Sequence, residues 1–229
     1  MCGRFGFEQE YVQLALFYQA TLQALDPGPR FNIAPTQLVA VVLEDENERI
    51  LTEYRWGLVP HWAKDPSVGN RMINARAETV ATRPAFRDAF KHRRCVIPAS
   101  RFYEWQRAGS RKIPHSIQRD DGEPMNLAGL WASWRDTERD EELRSCTIIT
   151  TSANAMMRPL HDRMPVILDD DLVERWLDPD LSDATELQEM LRPYPDQDLS
   201  AYPISDLVNS PKNQGPHLVD PVRPLRKAS

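Results

Sequence analysis

No stretch of this sequence stays apolar for the ~18 residues that a membrane-crossing helix needs. The opening residues, MCGRFGFEQEYVQLALF, carry acids where a signal peptide requires an unbroken apolar run, and no A-x-A cleavage site follows. Position 2 is cysteine, not the glycine that myristoylation needs, and the closing RKAS is no prenylation signal. There are three cysteines, Cys2, Cys95 and Cys146. Their odd number and wide spacing exclude a disulfide framework and a CxxC zinc or redox site. The five histidines, at 61, 92, 115, 161 and 217, show no HExxH or HxH spacing, so no metal is expected. Neither GxGxxG nor GxxxxGK[ST] occurs, and no nucleotide or other cofactor is expected. The expectation is a soluble cytoplasmic protein with no membrane partner.

What is present is a globular composition. The 229 residues are 41% hydrophobic and 27% charged, long enough to bury a proper core and too apolar for a disordered chain. No repeat, low-complexity segment or linker divides the chain, so residues 1–229 read as one domain. The net charge of −6 hides an asymmetry. Residues 71–119 hold twelve Lys/Arg against three acids, which leaves −15 for the rest. A basic middle in an acidic protein points to an anionic partner, with nucleic acid a leading candidate. The competing reading is a set of scattered, solvated arginines.

Periodicity predicts a helix over residues 8–25, stopped by Asp26-Pro27-Gly28-Pro29. Strands are predicted at 38–45 and 49–57 around an acidic turn at Asp45–Glu48. A loop over residues 59–69 follows, then a short basic helix at 83–92 with Pro84 in its first turn. Five more strands are predicted at 94–99, 101–106, 112–118, 125–134 and 143–151, with an acidic turn at 138–143. Helices at 170–177 and 183–192 and a sheet-closing strand at 201–205 complete the pattern. Nineteen prolines imply many rigid loops. The fold class is α+β: a mostly β core of curled mixed or antiparallel sheets with peripheral helices.

Four segments carry candidate chemistry. Removal of Met1, which a small second residue permits, makes Cys2 the first residue. An α-amine of pKa about 7.7–8.0 then lies beside a thiol of about 8.5. Such a 1,2-aminothiol condenses with an aldehyde to a Schiff base and closes to a thiazolidine; alternatively its thiol attacks an amide. The other reading is a frayed terminus whose second residue happens to be cysteine. In Ile73-Asn74-Ala75-Arg76-Ala77-Glu78, Asn74 can donate and accept, and Arg76 can fork onto a phosphate. Against this stands a plain Arg76–Glu78 pair on an exposed strand. In Phe102-Tyr103-Glu104-Trp105, alternation puts Phe102 with Glu104 and Tyr103 with Trp105. A carboxyl among aromatics should have a raised pKa suited to acid–base work; the alternative is an edge-strand Glu paired with Arg101 or Arg107. His161 precedes an apolar strand, as a site base or as a hydrogen-bonded loop histidine. Arg4 must lie close to Cys2. Trp62 sits in a Pro-flanked loop where it could stack on bases, whereas Trp56, Trp131 and Trp176 are expected in the core.

Nine segments in order resemble the SOS-response-associated peptidase (SRAP) family of abasic site processing proteins. They are MCGRF (1–5), RFNIAPTQ (30–37), WGLVPHWAKD (56–65), INARAETV (73–80), RCVIPASRFYEW (94–105), LAGLW (127–131), TIITTSAN (147–154), LHDRMPVIL (160–168) and VNSPKNQGP (208–216). The resemblance implies a monomer that binds single-stranded DNA in a basic groove. There it crosslinks abasic sites through a Cys2 thiazolidine that shields the lesion, with the protein cytoplasmic and nucleoid-associated when bound. Carried over, Cys2 is the nucleophile, Asn74 positions the amine and the opened sugar, Glu104 shuttles protons, and His161 assists ring closure and reversal. Arg4 and Arg76 resemble phosphate contacts; Asn32, Pro35 and Trp62 align with groove-lining positions. The activity implied is lyase-like Schiff-base chemistry, with thiol peptidase activity as a further implication. Three other readings stay open at this point: a glutamine amidotransferase with Cys2 attacking the amide, a thiol autopeptidase for which only Met1 precedes Cys2, and a plain DNA-binding module.

Overall fold

The computed structural model describes residues 2–24, 26–46, 48–136 and 138–222. In chain order the elements are β1 (Phe5–Phe7), α1 (Tyr11–Tyr18), β2 (Thr21–Leu22), β3 (Arg30–Ile33), β4 (Leu38–Asp45), β5 (Glu48–Trp56), β6 (Asn74–Arg76), α2 (Arg87–His92), β7 (Arg94–Ala99), β8 (Arg101–Ala108) and β9 (Arg111–Arg119). They continue as β10 (Met125–Asp136), β11 (Glu141–Ser152), β12 (Arg163–Pro165), β13 (Ile167–Leu168), α3 (Asp170–Leu177), α4 (Ala184–Glu189) and β14 (Leu199–Pro203).

The strands form two sheets. The larger runs β12-β11-β10-β7-β4-β5-β2, with β13 added beside β10 and β6 beside β11. It curls until β5 pairs with β11 in parallel, Ser145 opposite Arg55 and Cys146 opposite Trp56. Five strands, β11, β10, β7, β4 and β5, thereby close into a ring with no free edge between them. The smaller sheet runs β14-β9-β8-β1-β3. The fold is α+β, as the sequence predicts, with helices outside a curled mixed β core.

Runs apolar on both faces explain the ring. All six residues of β7 are buried, and so are Val39 to Leu43 of β4. One continuous apolar cluster takes in Cys2, Phe5, Trp56, Phe102, Ile148 and Trp176. A second, around Tyr103, Ile204 and Val208, covers the back of the smaller sheet. At the rear, the guanidinium of Arg94 is buried and donates to the carbonyls of Phe90, Lys91, Trp176 and Asp178. These carbonyls end α2 and α3, so one cation caps both helices.

Several element boundaries differ from expectation. The helix predicted over 8–25 stops at Tyr18, because Gln19 turns left-handed (φ 52°) and Thr21–Leu22 pairs with β5. The basic helix starts at Arg87, after a turn that contains Pro84. β11 starts at Glu141, inside the segment predicted as an acidic turn. Of the turn predicted at Asp45–Glu48, Asn47 lies outside the described residues.

Candidate active site and nucleic-acid interface

The site lies where the two sheets meet. β1 sits between β3 and β8, with Phe5 opposite both Ile33 and Phe102. The Tyr103 N–H donates to the Arg4 carbonyl at 2.9 Å. This register draws the residues ahead of β1 across the smaller sheet toward β6 of the larger one. Cys2 is fully buried there. The Asn74 side-chain amide donates to the Cys2 carbonyl at 2.8 Å, while Asn74 Oδ1 is buried without a hydrogen-bond partner among the described residues. Asn74 is itself fixed from behind. Trp56 is buried, stands edge-on to Phe5 at 5.1 Å and donates from Nε1 to the Ile73 carbonyl at 2.9 Å.

Glu104 lies on β8, the central strand of the smaller sheet, and is 4% exposed. The expected alternation holds. Phe102 belongs to the main core, whereas Tyr103 and Trp105 belong to the second cluster. The edge-strand alternative fails because β8 is central in its sheet, Glu104 is buried, and Arg101 is bound to Glu8. Burial lifts the Glu104 carboxyl to about 7, and the negative charge of Asp162 pushes the same way. Burial, then the Glu104 charge, pushes the Cys2 thiol up to about 12. The thiol is therefore protonated at neutral pH and needs a base when it reacts.

His161 closes the site from a loop. Asn154 Oδ1 accepts from the Met157 N–H at 2.9 Å, and the Met157 carbonyl accepts the His161 N–H at 2.9 Å. Nδ1 lies 2.9 Å from the Arg163 backbone N–H, which donates to it when the ring is neutral with its proton on Nε2. Burial lowers the His161 pKa, and the Asp162 carboxylate, 2.8 Å from Nδ1, opposes that shift. Glu104, Trp105, Arg107, Lys112, His161 and Asn209 line a cavity of about 450 Å³. Trp105 Nε1 donates to Asn209 Oδ1 at 2.7 Å and fixes one wall.

The expected interface residues divide into two groups. Arg76 is exposed at the end of β6. The Arg76–Glu78 alternative fails because Glu78 binds Arg163 in a fork, at 2.5 and 3.0 Å. Trp62 is 54% exposed, while Trp56 and Trp176 are buried and Trp131 packs half-buried against the core. The loop carrying Trp62 is held by a backbone contact in which Gly57 (φ 122°) and Gly69 lie face to face. A Cβ on either would collide with the other's carbonyl oxygen. Pro35 is half-buried in the turn after β3.

Asn32 corrects the expectation of a groove-lining side chain. It is fully buried, with its amide nitrogen within hydrogen-bond reach of the Val208, Ser210 and Asn213 carbonyls and its Oδ1 accepting from Arg4 at 2.8 Å. Arg4 also donates to the Val208 carbonyl at 2.7 Å. The pair braces the C-terminal segment that brings Asn209 to the cavity.

The basic run is smaller than its count. Arg94 is buried, and Arg93, Arg101 and Arg119 are bound to Asp88, Glu8 and Asp121. Trp105, Arg107, Lys112 and Asn209 are site residues that residue-by-residue reasoning missed. The signal for them lay inside the basic run and the VNSPKNQGP segment.

Fold and cluster together define a class: a curled α+β protein with a buried cysteine at position 2 beside a carboxyl that lines a basic cavity. A family model described as SOS response associated peptidase (SRAP) matches residues 1–211, and the chain belongs to that family. The abasic site processing protein YoqW of Bacillus subtilis (strain 168) is 43% identical over 224 residues, covering 96% of this chain and 99% of its own. The abasic site processing protein YedK of Escherichia coli (strain K12) is 32% identical over 229 residues, covering 97% and 100%. A crystal structure of a Bacteroides thetaiotaomicron protein matches with a TM-score of 0.87 at 26% identity, covering 97% of this chain and all of that one.

Proposed function

We propose that the protein captures abasic sites in single-stranded DNA as a covalent thiazolidine on Cys2, acting as a cytoplasmic monomer on DNA. The carrying observation is the closeness of a protonated, buried Cys2 thiol to the Glu104 carboxyl, which is poised near 7 and itself lines the cavity. Family membership and the abasic-site names of the relatives support the substrate class.

In the lesion the sugar is mostly a closed hemiacetal. Glu104 moves a proton from the anomeric oxygen to the ring oxygen, with the His161 Nε2–H hydrogen-bonding the sugar, and the aldehyde opens. The Cys2 α-amine, exposed by loss of Met1, adds to the aldehyde carbon and passes a proton to its oxygen. Protonated Glu104 then releases that oxygen as water and leaves an iminium. The Cys2 sulfur attacks the iminium carbon as Glu104, now ionised, takes the thiol proton. The net change is one C–N and one C–S bond formed, one water lost, and Glu104 back in its starting state. The orphaned Asn74 Oδ1 is an acceptor for the amine, and its Nδ2 holds the Cys2 carbonyl. Arg76 serves as a phosphate contact and Trp62 as a stacking surface.

The test is intact-protein mass spectrometry after incubation with single-stranded DNA carrying one abasic site. The expected product is a denaturation-stable adduct of the chain lacking Met1, absent with Cys2→Ser. No adduct from protein confirmed to lack Met1 overturns the reading.

A further inference from the structure

We propose that Arg107 and Lys112, at the turn end of the β8–β9 hairpin, form a subsite for a backbone phosphate of the bound DNA strand, on the side of the lesion away from Arg76. The inference rests on the single-stranded-DNA reading above and extends it to a second point along the strand.

Arg107 and Lys112 are register partners across β8 and β9, followed by Ala108 opposite Arg111. Like charges directly opposed on neighbouring strands repel each other. An acid nearby would relieve the repulsion, but residues 105–118 contain none. Both side chains are exposed, and neither makes a hydrogen bond or ion pair among the described residues. Of the acids around the site, Glu104 is buried and held partly protonated near neutrality, and Asp162 has its carboxylate 2.8 Å from His161 Nδ1. Arg101 and Arg119, on the same two strands, are each bound to an aspartate or glutamate. The hairpin therefore keeps as unneutralised cations the pair that lines the cavity with Glu104 and His161. An anion seated between them removes the repulsion, and the two donor types suit a phosphate: a guanidinium fork and an ammonium point charge.

Position selects the strand backbone as the source of that anion. Arg107 lies three residues beyond Glu104 on an extended strand, about 10 Å along it. Arg76 belongs to β6 in the other sheet. The reacting carbon must lie between the sheets, at Cys2. A strand whose lesion sits there runs from cations of one sheet to cations of the other. Such contacts carry no base information, in keeping with a lesion that has no base to read.

The experiment measures equilibrium binding of the Cys2→Ser protein to single-stranded DNA bearing a stable tetrahydrofuran abasic analogue, across a salt series, with and without R107A/K112A. Each phosphate contact on a single strand contributes a slope of about 0.7 in log K against log salt. The double variant is expected to bind more weakly at low salt, with a slope smaller by about 0.7. The gap then narrows about 2.5-fold between 50 and 200 mM salt. Oligonucleotides ending just 5′ or just 3′ of the lesion locate the contact, because the defect should vanish with one truncation and persist with the other. An unchanged slope, or a defect indifferent to which side is removed, overturns the subsite. The hairpin end is exposed, so an unchanged thermal midpoint is expected to show that the variant folds. Adduct formation by the protein with Cys2 intact is followed in parallel. Its absence counts against covalent capture, whereas capture with an unchanged salt slope counts against the subsite alone.

Discussion

Cys2 at the meeting of the sheets and the pair Cys95 and Cys146 inside the ring are buried to the same degree. Burial is the first cause that raises all three thiols. What differs is the company. Cys95 packs against the backbone of Gly129, where a Cβ would meet its sulfur at 2.9 Å, and the electrostatic neighbour that shifts it is Cys146, itself a buried thiol. Cys2 faces a carboxyl that exchanges its proton near neutrality and an amide with an unused acceptor. Desolvation alone makes a thiol inert. The same desolvation beside a matched proton carrier keeps the thiol protonated with a base at hand.

The largest expected effect separates the two regions outright. Cys2→Ser should abolish the DNA adduct, whereas Cys146→Ala should leave capture within about twofold and lower stability by about 1–2 kcal/mol through the cavity it leaves. Adduct mass and a denaturant melt read the two.

Glu104→Gln should slow capture by about 10²–10⁴ and remove the inflection near pH 7 from the rate profile. It should also act on stability. The folded carboxyl titrates near 7 against an ordinary 4.5, so the folded chain holds the extra proton between those values. The group's contribution is intact below 4.5 and is lost as pH rises to 7, a difference of up to about 3 kcal/mol. The variant should therefore be more stable than the parent at pH 8 and equal to it at pH 4, as denaturant melts at the two pH values would show.

His161→Gln should cost about tenfold in rate, the worth of one hydrogen bond to the opening sugar, measured by single-turnover capture. The smallest effect is a near-silence. At pH 7.5 the folded protein should alkylate slowly at all three cysteines, and fast Cys2 alkylation before denaturation would break the comparison.

The sequence was most legible where one pattern decides one element. β7 and α3 match their predicted spans residue for residue, the first a short stretch with β-branched Val96 and Ile97 ahead of Pro98, the second a helical spacing of apolar residues. Glu104's raised pKa was legible from its aromatic neighbours. Ring closure was not, because the parallel pairing of β5 with β11 joins segments about ninety residues apart and leaves no local mark. Asn32 was misread because an amide beside a proline turn looks the same whether it lines a groove or braces a strap. The arginines were overcounted because Arg94 and Arg101 find their partners only in three dimensions.

The burial of Cys2 also sets an order of events during synthesis. The residues beside it, Asn74 and Glu104, leave the ribosome long after it does, and an aminopeptidase needs the free terminus and the second residue accessible to its site. Removal of Met1 therefore belongs to the interval before the later strands close over the second residue. On the proposed mechanism, a chain that folds with Met1 still attached lacks the free Cys2 amine.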